Sequence, residues 1–137
     1  MSQEHETFMR NHLESCYPEE GCGFLIGRFE TFKHVLKVIP VKNTKEESRE
    51  RRYLIDPKEF MEVEKSTKSE KLDILGIYHS HPDHPASPSE FDRGHAWPWY
   101  SYVIVSVEKG VSKEVTSWVL KEDRTQFDRE EITKDGS

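Results

Sequence analysis

The sequence predicts a mixed α/β fold, and three observations carry that prediction. Several short runs show the two-residue apolar alternation of half-buried strands. Three segments read as helices, two of them opening on helix-start residues. Strands and helices alternate along the chain rather than segregating into blocks. The length of 137 residues suits one domain spanning residues 1–137. Charged and hydrophobic residues each make up 34% of the chain and aromatics 11%, which suffices for a modest core and argues against disorder.

Gln3–Ser15 reads as an opening helix with Phe8, Leu13 and Cys16 turned inward, ended at Tyr17-Pro18. Gly21–Phe29 reads as a strand in which Gly23 allows close approach. Phe32–Val41 alternates, with Phe32, His34, Leu36 and Val38 on one face. Asn43–Glu50 is a charged connection, and Arg51–Asp56 reads as a short strand. Asp56 then caps a helix over Pro57–Ser69, with Pro57 at its first position, Glu59 completing a capping box and Phe60 and Val63 on the apolar side. Ile74–His79 is a continuous apolar run, the mark of a buried central strand, and it leads into the polar, proline-rich Ser80–Pro88. Ser87, Pro88 and Glu90 supply the start of a helix toward Trp97. Tyr102–Val107 and Glu114–Lys121 are strands joined by a turn at Lys109-Gly110, and one more strand falls around Gln126–Ile132.

The bulk properties exclude some functions. A net charge of −6 disfavours general nucleic-acid binding, which needs a basic surface. Arg49, Arg51 and Arg52 lie among Glu46, Glu47 and Glu50 and read as a solvated loop. The polar start lacks a signal-peptide pattern, and no apolar run spans a membrane. Two cysteines, Cys16 and Cys22, without a CxxC pair, fit free thiols in a reducing cytoplasm.

The chemistry concentrates in Tyr78-His79-Ser80-His81-Pro82 and Ser87-Pro88-Ser89-Glu90-Phe91-Asp92. In an extended chain, residues two apart point the same way at about 7 Å, so His79 and His81 offer two imidazoles to one ion, and imidazole is a preferred zinc donor. Ser89 and Asp92 are three apart on one helical face. With Asp92 as a third ligand, two histidines and one carboxylate leave a fourth zinc position open for water, as in catalytic sites. Glu20, ahead of Gly21-Cys22-Gly23 at a strand mouth, is the candidate base for that water, and Ser89 the candidate oxyanion donor.

These residues carry a specific resemblance. His-Ser-His-Pro, six residues, then Ser-Glu-Phe-Asp resembles the JAMM (MPN+) signature at every defining position, and Pro18-Glu19-Glu20-Gly21-Cys22-Gly23 resembles the family's entry to its catalytic glutamate, which falls on Glu20. The resemblance implies a cytidine-deaminase-like mixed β-sheet flanked by helices. It implies a zinc metallopeptidase acting on peptide or isopeptide bonds near the C-terminus of ubiquitin-like proteins. Small stand-alone members are similar prokaryotic enzymes that act on sulfur-carrier tails or remove ubiquitin-like modifiers. Capture of a glycine-rich tail by strand addition would suit such a substrate, with Asn43–Arg52 helping to grip it. The alternative is a non-catalytic scaffold of the same fold. A nucleoside deaminase needs a P-C-x-x-C element, which the sequence lacks. His84 reads as exposed, His95 as either a surface residue or a neighbour of the ligands, Trp97, Trp99 and Tyr100 as core packing, and Cys22 as packed.

Overall fold

The computed structural model describes residues 1–134. The elements run α1 (Gln3–Cys16), β1 (Cys22–Glu30), β2 (Phe32–Val41), α2 (Pro57–Ser69), β3 (Asp73–Pro82), α3 (Glu90–His95), β4 (Ser101–Glu108), β5 (Val111–Leu120) and β6 (Phe127–Glu130). The strands form one sheet in the order β2-β1-β3-β4-β5-β6. Neighbours are antiparallel except β3 and β4, which are parallel. A parallel pair needs a crossover connection, and the chain between β3 and β4 carries α3.

Alternation along the central strands separates two cores. On one face, Met9 and Leu13 of α1 meet Leu25, Tyr78, Val103, Val105 and Val107. On the other, Val63 and Phe60 of α2 meet Cys22, Phe24, Ile26 and Ile74. The sheet is therefore covered by α1 on one side and α2 on the other. Ser2 caps α1 by accepting the amide of His5, and Asp56 caps α2 by accepting the amide of Lys58. No helix is long and apolar enough to cross a membrane.

Several sequence expectations need correction. Phe8 is half exposed, and Met9 takes its place in the core. In β2 the register shifts opposite Ile26 and Gly27, whose partners are Lys37 and Val35. Leu36 is thereby the extra residue of a bulge, which resets the alternation. Val35 and Val38 pack on the core while Phe32 and Leu36 stay exposed. Arg51–Asp56 is not a strand. Its backbone is held by Asn43, whose Oδ1 accepts the amides of Lys45 and Leu54 and whose Nδ2 donates to the carbonyl of Arg52. The Asp56 cap acts without a capping box from Glu59. Trp97 and Trp99 are exposed rather than core residues, whereas Tyr100 packs against the sheet.

Glycine at 76 is a steric requirement where β3 meets β4. A Cβ there would lie 2.1 Å from the carbonyl oxygen of Ser101, a backbone atom that cannot swing aside. Gly76→Ala is expected to cost about 3 kcal/mol or more of unfolding free energy. Chemical denaturation checks this, and a loss below about 1 kcal/mol would show that the strands part more easily than their packing indicates.

Candidate metal centre and its cleft

The end of β3 builds the site. Tyr78 and Ser80 face α1, which turns His79 and His81 to the other face. The β1–β3 pairing continues past Cys22 and His79: the Ser80 amide donates to the Gly21 carbonyl at 3.1 Å, and the Gly21 amide donates to Ser80 Oγ at 2.8 Å. One step further along this antiparallel register, Glu20 comes opposite His81. Gly23 lies across from Tyr78, where a Cβ would fall 2.4 Å from the tyrosine ring.

Asp92 arrives from α3. The helix starts two residues later than Ser87 and Pro88 suggest: Ser89 is the N-cap, and a capping box joins it to Asp92. Ser89 Oγ accepts the Asp92 amide at 3.1 Å, and Asp92 Oδ2 accepts the Ser89 amide at 2.9 Å. The chain leading there is pinned at several points. The Asp83 amide donates to the Val107 carbonyl, Asp83 Oδ2 accepts the Tyr17 hydroxyl, and Thr116 donates to the carbonyl of Ala86.

The three candidate ligands converge. His79 Nε2 and His81 Nε2 are 3.2 Å apart, His81 Nε2 lies 3.1 Å from Asp92 Oδ2, and His79 Nε2 lies 3.3 Å from Asp92 Oδ1. A tetrahedral ion with bonds near 2.1 Å separates its ligand atoms by about 3.4 Å, so this spacing, with Asp92 turning Oδ2 to His81 and Oδ1 to His79, suits one small cation. The tautomer of His81 suits the role. Its Nδ1 faces the Pro85 carbonyl at 2.8 Å, and a carbonyl only accepts, so the proton sits on Nδ1 and Nε2 presents a lone pair. His79 is held by stacking on Tyr53, with centroids 4.5 Å apart, and its Nδ1 is buried without a hydrogen-bond partner. These residues fit a metal site, and no other such cluster of His, Cys, Asp or Glu occurs among the described residues.

The electrostatics agree with that donor set. Burial works to raise the Asp92 carboxyl, yet the His79 imidazole and hydrogen bonds from both histidines and the Ser89 amide outweigh it and hold Asp92 well below the usual carboxylate range. Burial works to lower His81, but its hydrogen bond and charge interaction with Asp92 prevail and raise it. Burial pushes Glu20 up to about 7 against the opposing charge interactions of His79 and His81. Glu20 is 3% exposed and its Oε1 has no hydrogen-bond partner, whereas Glu19 is exposed.

Glu20, His81 and Ser89 line one cleft of about 520 Å³, together with Arg51, His84, Pro85 and Ser87. His84 is exposed as expected but borders this cleft. His95 is exposed and stacks on Phe91 at 4.0 Å, which favours the surface reading. Cys22 is fully buried, and both cysteines are free. The sequence reading placed Arg51 only within the Asn43–Arg52 segment that helps to grip a tail, and nothing in that mixed-charge loop singles it out.

Sheet, helices and the His-His-Asp centre match a known family. The chain belongs to the prokaryotic homologs of the JAB domain, whose family model matches residues 2–121. It is 39% identical over 90 residues to a desampylase of Haloferax volcanii, covering 65% of this chain and 63% of that one. It is also 39% identical over 99 residues to a Thermus thermophilus protein named "Probable TtuB-protein conjugate cleaving protease", covering 72% of this chain and 64% of that one. The chain thus spans a little under two thirds of the length of these curated relatives. The solution structure of a protein from Desulfitobacterium hafniense shares the fold with a TM-score of 0.86 at 30% identity, over 99% of this chain and 92% of that one.

Proposed function

We propose that the chain is a zinc-dependent peptidase or isopeptidase that hydrolyses a bond at the C-terminal tail of a ubiquitin-like or sulfur-carrier protein, with residues 1–137 acting as one catalytic domain in the cytoplasm. The observation that carries this reading is the triangle of His79, His81 and Asp92 beside a buried carboxylate, Glu20, that has no protein partner at Oε1. The conjugate-cleaving activity named for the Thermus relative and the desampylase name of the Haloferax relative support the substrate class. The two free thiols support a reducing compartment.

His79, His81 and Asp92 would hold the zinc ion. When bound, zinc supplies Lewis acidity, activating a water at neutral pH and polarising a substrate carbonyl. Glu20 takes the proton from the attacking water at its buried carboxylate and returns it to the leaving nitrogen. Burial raises Glu20 to about 7 in the metal-free chain, and the positive charge of a bound zinc would lower it toward the proton-accepting carboxylate. Ser89 Oγ already accepts the Asp92 amide, which leaves its own proton free to donate to the carbonyl oxygen as negative charge builds there. A scaffold role requires none of this convergence of buried titratable groups.

Chelation is expected to abolish hydrolysis and stoichiometric zinc to restore it. Because His81 must lose a proton that Asp92 helps it hold, zinc affinity should fall as pH drops through the His81 titration, with proton uptake on release. Zinc titrations at two pH values check this. Activity that persists in chelator would remove the metal from the reaction.

A further inference from the structure

The loop between β2 and α2 is tied to the backbone of Glu20 itself. The Glu20 amide donates to the carbonyl of Arg49 at 2.6 Å. Asn43 Nδ2 donates to both the carbonyl of Glu20 and that of Arg52, each at 3.0 Å. Both flanks of Arg51 are thus clamped to the peptide groups of the candidate base. A tight turn reinforces the clamp, with the amides of Arg51 and Arg52 donating to the carbonyl of Ser48 at 2.9 and 2.8 Å.

The three arginines of this loop differ in occupation. Arg49 Nε donates to the carbonyl of Lys45. Arg52 lies over the Phe91 ring, 4.7 Å from its centroid. Arg51 lines the cleft, and among the described residues it has no carboxylate within ion-pair distance and no side-chain hydrogen bond. The neighbouring acids Glu46, Glu47 and Glu50 leave it unpaired as well. Among the described residues that line the cleft, Glu20 is the one acid. In a chain of net charge −6, an exposed guanidinium without a protein partner, lining the cleft from a loop whose backbone is tied to Glu20, can receive an anion, and guanidinium geometry matches a carboxylate through two parallel hydrogen bonds.

We propose that Arg51 is a specificity-determining residue that binds a free α-carboxylate in the cleft. The preferred substrate is accordingly a linear tail whose own C-terminus lies a few residues beyond the cleaved bond. This rests on the hydrolase reading above and narrows it: an isopeptide-linked conjugate presents no α-carboxylate at that distance, because its leaving nitrogen belongs to a lysine side chain. Arg51 thus favours trimming of a C-terminal extension over removal of a conjugated protein.

The test uses matched peptides ending in Gly-Gly-Ala-Ala, one as the free acid, one as the C-terminal amide, and one as an amide with glutamate replacing the last alanine. The zinc-loaded wild type should cleave the free acid roughly ten- to hundredfold faster in kcat/KM than the plain amide, the span expected for a charge-assisted hydrogen-bond pair. Arg51→Gln should erase that preference, bringing the acid-to-amide ratio of kcat/KM close to one, and Arg51→Lys should keep part of it. Binding of the same peptides to the Glu20→Gln variant supplies a readout independent of turnover, with the same Arg51-dependent order of Kd expected. Equal handling of acid and amide by wild type, or a preference that survives Arg51→Gln, overturns the proposal. So does an Arg51-dependent preference confined to the glutamate amide, which would assign the residue to an acidic side chain. If no peptide is hydrolysed yet the Arg51-dependent binding order holds, the hydrolase reading fails and the carboxylate site stands.

Discussion

Asp92→Ala is expected to lose zinc and reduce hydrolysis to background, with metal affinity falling at least about 100-fold. The carboxylate joins three functions in one side chain. Its oxygens lie 3.1 Å from His81 Nε2 and 3.3 Å from His79 Nε2, and Oδ2 also accepts the Ser89 amide that starts α3. Removing it leaves two buried imidazoles 3.2 Å apart without the carboxylate that bridges them. The variant also loses the carboxylate half of the capping box, while Ser89 keeps its bond to the amide of residue 92. Asp92→Asn separates these effects, because an amide oxygen can still accept the Ser89 amide while the charge is gone. Metal content by mass spectrometry should fall in both variants, and α3 should loosen in the alanine variant alone. One zinc per chain retained in Asp92→Ala would take the aspartate out of the ligand set.

The same variant has a signed pH dependence in metal-free protein. His81 is raised above its ordinary value of 6.5, so its contribution is fully present below pH 6.5 and is lost as pH rises through its folded pKa. Asp92 is depressed below its ordinary 3.8, so its contribution is present above that pH and is lost as pH falls through its folded pKa. The two windows overlap between 3.8 and 6.5. Asp92→Ala should therefore destabilise metal-free protein most within that interval and less at pH 8. A stability loss that grows steadily toward pH 8 would mean that the histidine–aspartate pairing is not its source.

The site was legible in sequence to the extent that its spacing is local. Two histidines two apart on a strand, and a serine and aspartate three apart at a helix start, fix their mutual orientation within a few residues. The helix start itself was ambiguous for a physical reason: Ser87 with Glu90 and Ser89 with Asp92 both have capping-box spacing. The structure selects Ser89, and the chain ahead of it is held in place by a long-range bond from Thr116 to Ala86 and a local one from His81 to Pro85. The face of β2 was misread because a bulge depends on the partner strand, and nothing in Phe32–Val41 announces that Leu36 will be unpaired. Arg51–Asp56 looked like a strand because its alternation is real: Tyr53 and Ile55 do pack inward. Its hydrogen bonds go to the Asn43 side chain, to Thr44 and to the Ser48 carbonyl instead of a neighbouring strand. Arg51 could be read only as part of the Asn43–Arg52 segment, because its place at the cleft depends on bonds from Arg49 and Asn43 to Glu20, more than twenty residues from either. Local pattern reports orientation, and only tertiary pairing reports which oriented groups meet.

Glu20 is where those two kinds of information join, and its removal should produce a large loss of a different kind. Glu20→Ala is expected to keep zinc and lose at least about 100-fold in rate, the lower end of what a positioned proton-transfer group contributes. The selectivity for rate follows from geometry: Glu20 stands opposite His81 in the extended β1–β3 register but is not one of the three converging ligand atoms. Its carboxylate is 3% exposed with Oε1 unpaired, an arrangement that costs folding energy and stabilises nothing within the protein. Burial raises its pKa to about 7 in the metal-free protein, and the charge of a bound zinc would lower it toward the carboxylate that accepts a proton. Glu20→Gln keeps the shape and removes the proton acceptor, so it should match the alanine variant in rate while binding substrate. Glu19 is exposed, and Glu19→Ala should change the rate by less than about twofold. Steady-state kinetics beside metal analysis decide the matter. An active Glu20→Ala enzyme with full zinc would move the base elsewhere, and a Glu20→Ala enzyme stripped of zinc would make Glu20 a support for the metal rather than a carrier of its proton.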